Sequence, residues 1–175
     1  MLNRVATATS APDKARRGVE LIEQARGLVP LIAGAAGRIE KDRQIPPDLI
    51  EAMHAARLFR MLIPASIGGE EVEPATFFHV MEAVAGADAS LAWCLGQNSG
   101  VSMAAAYLDP KVAREMFGDA RAAVATGAPS AGAKAIVTDG GYRVTGHWHF
   151  ASGSRHSQWL GGHATVCEPN GKPRL

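Results

Sequence analysis

Apolar residues recur at spacings of three and four from about Lys14 to Phe117, and closer to every second position after Gly118. In the first stretch Leu21, Ala25, Leu28, Ile32, Ala35 and Ile39 fall on one face of a helix. Pro30 lies inside that run and predicts a kink or split, because proline lacks the N–H of the ladder and crowds the preceding turn. Pro46-Pro47-Asp48 predicts a second helix start, where the missing N–H has no partner in any case. Leu49, Met53 and Ala56 form its buried stripe. Pro64 and Gly68-Gly69 impose a loop. Helical spacing returns with Phe77, Met81 and Val84 and stops near Gly86. Asp88 is a good N-cap for ASLAWCLGQNSGVSMAAAYL, a helix nearly free of charge. Such a helix belongs inside a bundle or against a large partner surface. Its small residues (Gly96, Ser99, Gly100, Ser102) admit a close backbone or ligand. Asp109-Pro110 caps one more short helix, through Phe117.

Beyond Gly118 the runs AAVATG, AKAIVTD, YRVTGHWHFAS and QWLGGHATV read as strands. Asp139-Gly140-Gly141 between two of them is a hairpin signal. The fold class is therefore α+β: a disordered leader over residues 1–12, an all-α domain over 13–120, and the start of an antiparallel β domain over 121–175. A few strands leave a raw edge that needs a partner, and the tail EPNGKPRL reads as if cut off where another strand should return.

Charge narrows the field of partners. The formal net charge is +1 over 175 residues, so no strong field draws nucleic acid or an anionic membrane. No apolar run is long enough to span a bilayer, and the opening MLNRVATATSAPDKARR lacks the apolar core of a secretory signal. The 2 cysteines, Cys94 and Cys167, stand far apart in sequence, which fits a reduced, cytoplasmic setting.

Chemistry concentrates in GYRVTGHWHFASGSRHSQWLGG, Gly141 to Gly162. If this is one strand, Trp148, Phe150 and Ser152 share a face and His147 and His149 the other. The histidine pair suits a metal only with His156 or His163 as a third ligand, and no carboxylate lies close by in sequence; no metal is expected. The aromatic face ends in Ser152-Gly153-Ser154, a flat wall with donors at one edge, as a planar heteroaromatic ring requires. From spacing alone the aromatic pair is better read as packing on the helical domain. Trp159 reads as core.

Three stretches carry a family resemblance: RLFRMLIPASIGGEE (Arg57–Glu71), EAVAGADASLAWCLG (Glu82–Gly96) and GYRVTGHWHFASGSRHSQW (Gly141–Trp159). The last contains G-x-W-x-F-x-S-G-x-x-H, the most specific of them. The chain resembles the N-terminal portion of the acyl-CoA dehydrogenase superfamily, in particular the flavin-dependent oxygenase components of two-component monooxygenases. The resemblance implies a β domain after the helices and then a C-terminal helical bundle, missing here, with FAD or FMN between the two. It implies that Trp148, Phe150, Ser152 and Gly153 contact the cofactor, with Ser152 hydrogen-bonding near flavin N5. Ser152 and His156 are the catalytic candidates and Trp93 lines the substrate pocket.

The resemblance also implies a separate flavin reductase, a small aromatic or polycyclic substrate, and a homo-oligomer. TGAPSAGAKA departs from the dehydrogenase pattern T-E-P-x-A-G-S-D, which argues against an acyl-CoA substrate. Acyl-CoA dehydrogenation with FAD and a non-catalytic helical assembly module are the competing readings. The general base would lie beyond Leu175, so the chain alone is expected to be inactive and to hold flavin weakly.

Overall fold

A computed structural model describes residues 11–174. Residues 1–10 of the expected leader lie outside the described residues, while Ala11 and Pro12 already belong to the first helix. That helix, α1 (Ala11–Asp42), is continuous through Pro30. The expected split does not occur, because Pro30 faces solvent, where its missing N–H leaves a carbonyl that water can satisfy. The heptad-like stripe is as expected: Leu21, Ala25, Ile32, Ala35 and Ile39 are buried, and Leu28 is half-buried against them.

Helix α2 (Pro47–Ala55) starts at the double proline, with Leu49 and Met53 fully buried. Helix α3 (Pro74–Ala87) lies along α1, and α4 (Ala89–Ser102) packs on α3. The Asp88 carboxylate caps α4, accepting the Leu91 N–H at 2.7 Å. Helix α5 (Pro110–Phe117) is capped by Asp109, which accepts from the Lys111 N–H at 2.8 Å. Together α1 to α4 enclose one apolar core.

Among the described residues the strands are β1 (Val124–Thr126), β2 (Lys134–Thr138), β3 (Gly141–Thr145), β4 (Trp159–Gly161) and β5 (Thr165–Cys167). The Asp139-Gly140 turn makes β2–β3 an antiparallel hairpin, with Gly140 at φ 72°. The other two pairings, β1–β4 and β2–β5, are parallel. The β region is thus mixed where an antiparallel one was expected. A parallel neighbour requires a long crossover; residues 127–158 connect β1 to β4 and residues 139–164 connect β2 to β5.

The expected strand YRVTGHWHFAS ends at Thr145. From Gly146 the chain leaves the ladder, and Phe150 sits at φ 55°, a left-handed conformation unusual for a bulky residue. Strict alternation therefore fails beyond Thr145. The run QWLGGHATV likewise divides into β4 and β5. Trp159, expected in the core, is 39% exposed at the end of its short strand.

Between the helices and the strands lies a device that residue spacing did not suggest. Arg60 is 2% exposed, and its guanidinium donates to four carbonyls: Gly68 (3.1 Å), Ile67 (3.0 Å), Phe117 (3.0 Å) and Asp119 (2.6 Å). It ties the Pro64–Gly69 loop to the end of α5. Beside it, Glu70 is held by Arg17 at 2.7 Å and by Arg57. Burial opposes ionisation of Glu70, but the hydrogen bonds from Arg17 and Arg57 outweigh it and keep its pKa below the usual carboxylate range.

Candidate functional site

The site forms where α4 meets the irregular segment after β3. Trp93 projects from α4, 61% exposed, and its indole N–H donates to Ser152 Oγ at 3.1 Å. An indole N–H only donates and a hydroxyl does both. Ser152 therefore accepts from Trp93 and keeps its own proton for another acceptor. Beside it the Phe150 ring is 88% exposed. A backbone held at positive φ beneath a large exposed ring is strain without a packing gain, and such strain collects at binding sites.

Trp148 has a different job from the one the alternating pattern assigns. Its indole N–H donates to the His163 carbonyl at 2.8 Å. A Cβ on Gly127, Gly146 or Gly162 would come within 2.5, 2.7 and 2.7 Å of its side-chain atoms. Those three glycines let the large ring sit under the segment as a pillar. It does not share an open face with Phe150, because the strand that would impose that face stops at Thr145. His147 and His149 do stand together, with ring centroids 4.4 Å apart. No group of three metal-ligating side chains occurs among the described residues.

Asn98, buried in α4, fixes the turn that carries Ser152. Its Nδ2 donates to the Val124 carbonyl at 2.7 Å, and its Oδ1 lies 2.9 Å from His156 Nε2. The carbonyl can only accept, which sets the amide orientation; Oδ1 is then an acceptor and His156 Nε2 carries the proton. His156 also stacks at 5.4 Å on Phe59, which stacks at 4.6 Å on His54. Burial lowers the His156 pKa, with a further contribution from His54, to about 4. Burial and the nearby Arg121 lower that of His54, whose Nδ1 is enclosed without a partner. Both rings are therefore neutral at neutral pH. Sequence reasoning reached His156 but missed Asn98 and His54; only the cap at Asp88, which sets the rotation of α4, hinted that Asn98 would face the strands.

Gly153 sits at φ 82° with Asn98 against it, so a Cβ there would lie 2.6 Å from Asn98 Oδ1. Gly153→Ala is expected to destabilise the chain by about 1–3 kcal/mol, read as a lower urea midpoint. An unchanged midpoint would show that the turn tolerates a side chain.

Two cavities flank this turn. One, of about 330 Å³, is lined by Trp93, Thr126, Gly127, Pro129, Phe150 and Ser152, among others. The other, of about 350 Å³, lies between the α1–α2 loop and residues 151–156, with Cys94 and His156 in its wall. Burial pushes the Cys94 thiol up, so it lines the wall as a neutral group. Ser152 borders both. Either volume falls at the small end of the range for small-molecule sites.

The chain is similar to known proteins over most of its length. Residues 21–115 match the family model described as acyl-CoA dehydrogenase, N-terminal domain. The chain is 30% identical over 156 residues to a pigment production hydroxylase of Rhodococcus erythropolis, covering 89% of this chain and 40% of that protein. It is 27% identical to a flavin-dependent monooxygenase, oxygenase subunit HsaA, of Mycobacterium tuberculosis, over 75% of this chain and 34% of that one. The solved structure of XiaF from Streptomyces sp. with FADH2 and glycerol superposes with TM-score 0.85 and 26% identity, over 93% of this chain and 41% of that chain. The chain thus spans about 40% of the length of these relatives.

Proposed function

The chain belongs to the acyl-CoA dehydrogenase family through its N-terminal domain, and from that membership we propose that it contributes one wall of the flavin site in an oxygenase component. The observation that carries this reading is the Trp93–Ser152 hydrogen bond, 3.1 Å long, beside the exposed ring of Phe150 on one cavity wall. These residues fit a planar heteroaromatic group. Phe150 offers a face, and Ser152 offers a hydroxyl proton aimed by the indole. Gly127, where a Cβ would strike Trp148, leaves the backbone bare. Phe150, Ser152 and Gly153 would hold FAD or FMN, with Trp148 supporting them from below.

A bound flavin supplies electron transfer and oxygen chemistry that side chains lack. The protein's own part is to bind and orient. Ser152 donates one hydrogen bond at the polar edge of the ring, and Trp93 fixes the direction of that hydroxyl. His156 is a positioning residue: its Nε2 proton is committed to Asn98, and it holds the turn in place. No helix among the described residues is long and apolar enough to cross a membrane. A cytoplasmic homo-oligomer receiving reduced flavin from a separate reductase and acting on a small aromatic substrate completes the reading; no partner in nucleic acid or membrane is implied.

Titration with FMN and FAD, followed by quenching of tryptophan fluorescence, tests it. Weak but saturable binding is expected, and Ser152→Ala should weaken it roughly tenfold, the value of one hydrogen bond lost from an enclosed acceptor. Binding indifferent to Ser152→Ala and Trp93→Phe, or no saturation at all, would sink the reading. The match to the dehydrogenase family model favours one other chemistry, acyl-CoA oxidation with FAD. It predicts that an acyl-CoA bleaches bound oxidised FAD without oxygen.

A further inference from the structure

The second cavity, of about 350 Å³, is not the one that carries the exposed Phe150 ring. Its chemistry is one-sided. Ile39, Ile45, Cys94 and Ala151 supply apolar lining, and Arg43 and Arg155, both exposed, supply positive charge. No Asp or Glu lines it among the described residues. Neither arginine has a carboxylate partner among the described residues, a property shared with Arg60, Arg114 and Arg143, whereas Arg16, Arg17, Arg26, Arg38, Arg57, Arg121 and Arg174 each have one. The chain as a whole is nearly neutral, at +1, so this local excess of positive charge is not a reflection of general basicity.

Arg155 is also anchored. Arg155 Nη1 donates to Gln44 Oε1 at 3.2 Å, which ties the α1–α2 loop to the turn after Ser152 and brings Arg155 beside the loop that carries Arg43. Arg43 itself is at φ 51°, a conformation that costs energy in a non-glycine residue. Ser90, Ser152 and Ser154 also line the cavity. A guanidinium fork without a carboxylate partner matches a carboxylate in shape and charge, and the apolar lining matches a ring.

The geometry points to this cavity as the binding site for an aromatic carboxylate, its ring against Ile39, Ile45 and Ala151 and its anionic end between Arg43 and Arg155. That this guest is the substrate rests on the flavin reading of the neighbouring cavity; Ser152, which borders both, is where the two would meet. The anion selectivity itself does not depend on flavin.

Calorimetric titration of the chain with naphthoate and with its neutral analogue naphthamide separates the terms, in flavin-free protein at low salt. Naphthoate is expected to bind about tenfold more tightly than naphthamide. The preference should fall with Arg43→Gln or Arg155→Gln and vanish in the double variant, while Arg43→Lys and Arg155→Lys retain part of it. Circular dichroism of each variant confirms the fold, which substitutions at two exposed side chains should leave intact. Equal binding of the two probes, binding of neither, or a preference that survives the double variant overturns the inference. Riboflavin and FMN form a second arm. If FMN outbinds riboflavin and the double variant abolishes that advantage, the arginines hold the cofactor phosphate and the inference is likewise overturned. Failure of flavin titration with the naphthoate preference intact would instead remove the flavin reading and leave an anion site standing.

Discussion

Replacing Arg60 with methionine is expected to lower the unfolding free energy by about 3–5 kcal/mol, the range for removing one partner from a buried charge-assisted network. Methionine fills the space with an apolar chain but donates nothing. The carbonyls of Ile67, Gly68, Phe117 and Asp119 would then be left facing a site from which Arg60, at 2% exposure, has excluded water. Each such orphaned acceptor costs about 1–3 kcal/mol unless the backbone shifts to find water. Arg60→Lys keeps the charge but has no planar fork, so it reaches fewer of the four carbonyls and should fall between the two. Urea unfolding followed by circular dichroism reads both. A loss below about 1 kcal/mol in the methionine variant would mean that water already satisfies those carbonyls and that the guanidinium is not the tie described.

The contrast between Arg60 and the α1 stripe shows what the sequence made legible. A helix face built from Leu21, Ala25, Ile32, Ala35 and Ile39 announces itself, since burial follows directly from spacing. The caps at Asp88 and Asp109 and the Asp139-Gly140 turn are equally local, each needing only a residue type at one position. Arg60 is the opposite case. Its four partners are backbone carbonyls from two distant segments, and a carbonyl leaves no mark on residue identity.

The candidate site was legible in part for the same reason. The motif from Gly146 to His156 singles out candidates, and the structure brings two of them, Phe150 and Ser152, to one cavity with Trp93. Their geometry was not readable, because alternation holds only while the ladder continues. Beyond the ladder Trp148 is seated among Gly127, Gly146 and Gly162, three glycines far apart in sequence. Such a fit is a tertiary event that no local window contains. The same holds for Asn98, whose value lies in what it joins: α4, β1 and the turn at His156.

Acid should lower the stability of the fold before it titrates the carboxylates. His156 has an ordinary pKa of 6.5 and is lowered to about 4 in the fold, chiefly by burial. The unfolded chain therefore takes up a proton between those values while the folded chain does not, so stability falls as pH falls through that window. The full loss, after allowing for solvent at the edge of the ring, is roughly 2 kcal/mol. His54, lowered by burial and by Arg121, acts in the same direction. Glu70 and Glu71, held below 4.5 by their partners, lose their contribution only at lower pH, so the interval from pH 6.5 to 4.5 belongs to the two histidines. His156→Gln keeps a donor for Asn98 but cannot titrate. It is expected to flatten the slope of unfolding free energy against pH across that interval, and His54→Gln to flatten it further. Stability that stays level in the unmodified chain from pH 6.5 to 4.5 would contradict the enclosed, neutral ring. Because the same ring holds the turn that carries Ser152 and stays neutral in the folded chain down to about pH 4, flavin affinity should hold across this window and weaken only near pH 4, a loss the glutamine variant should not show.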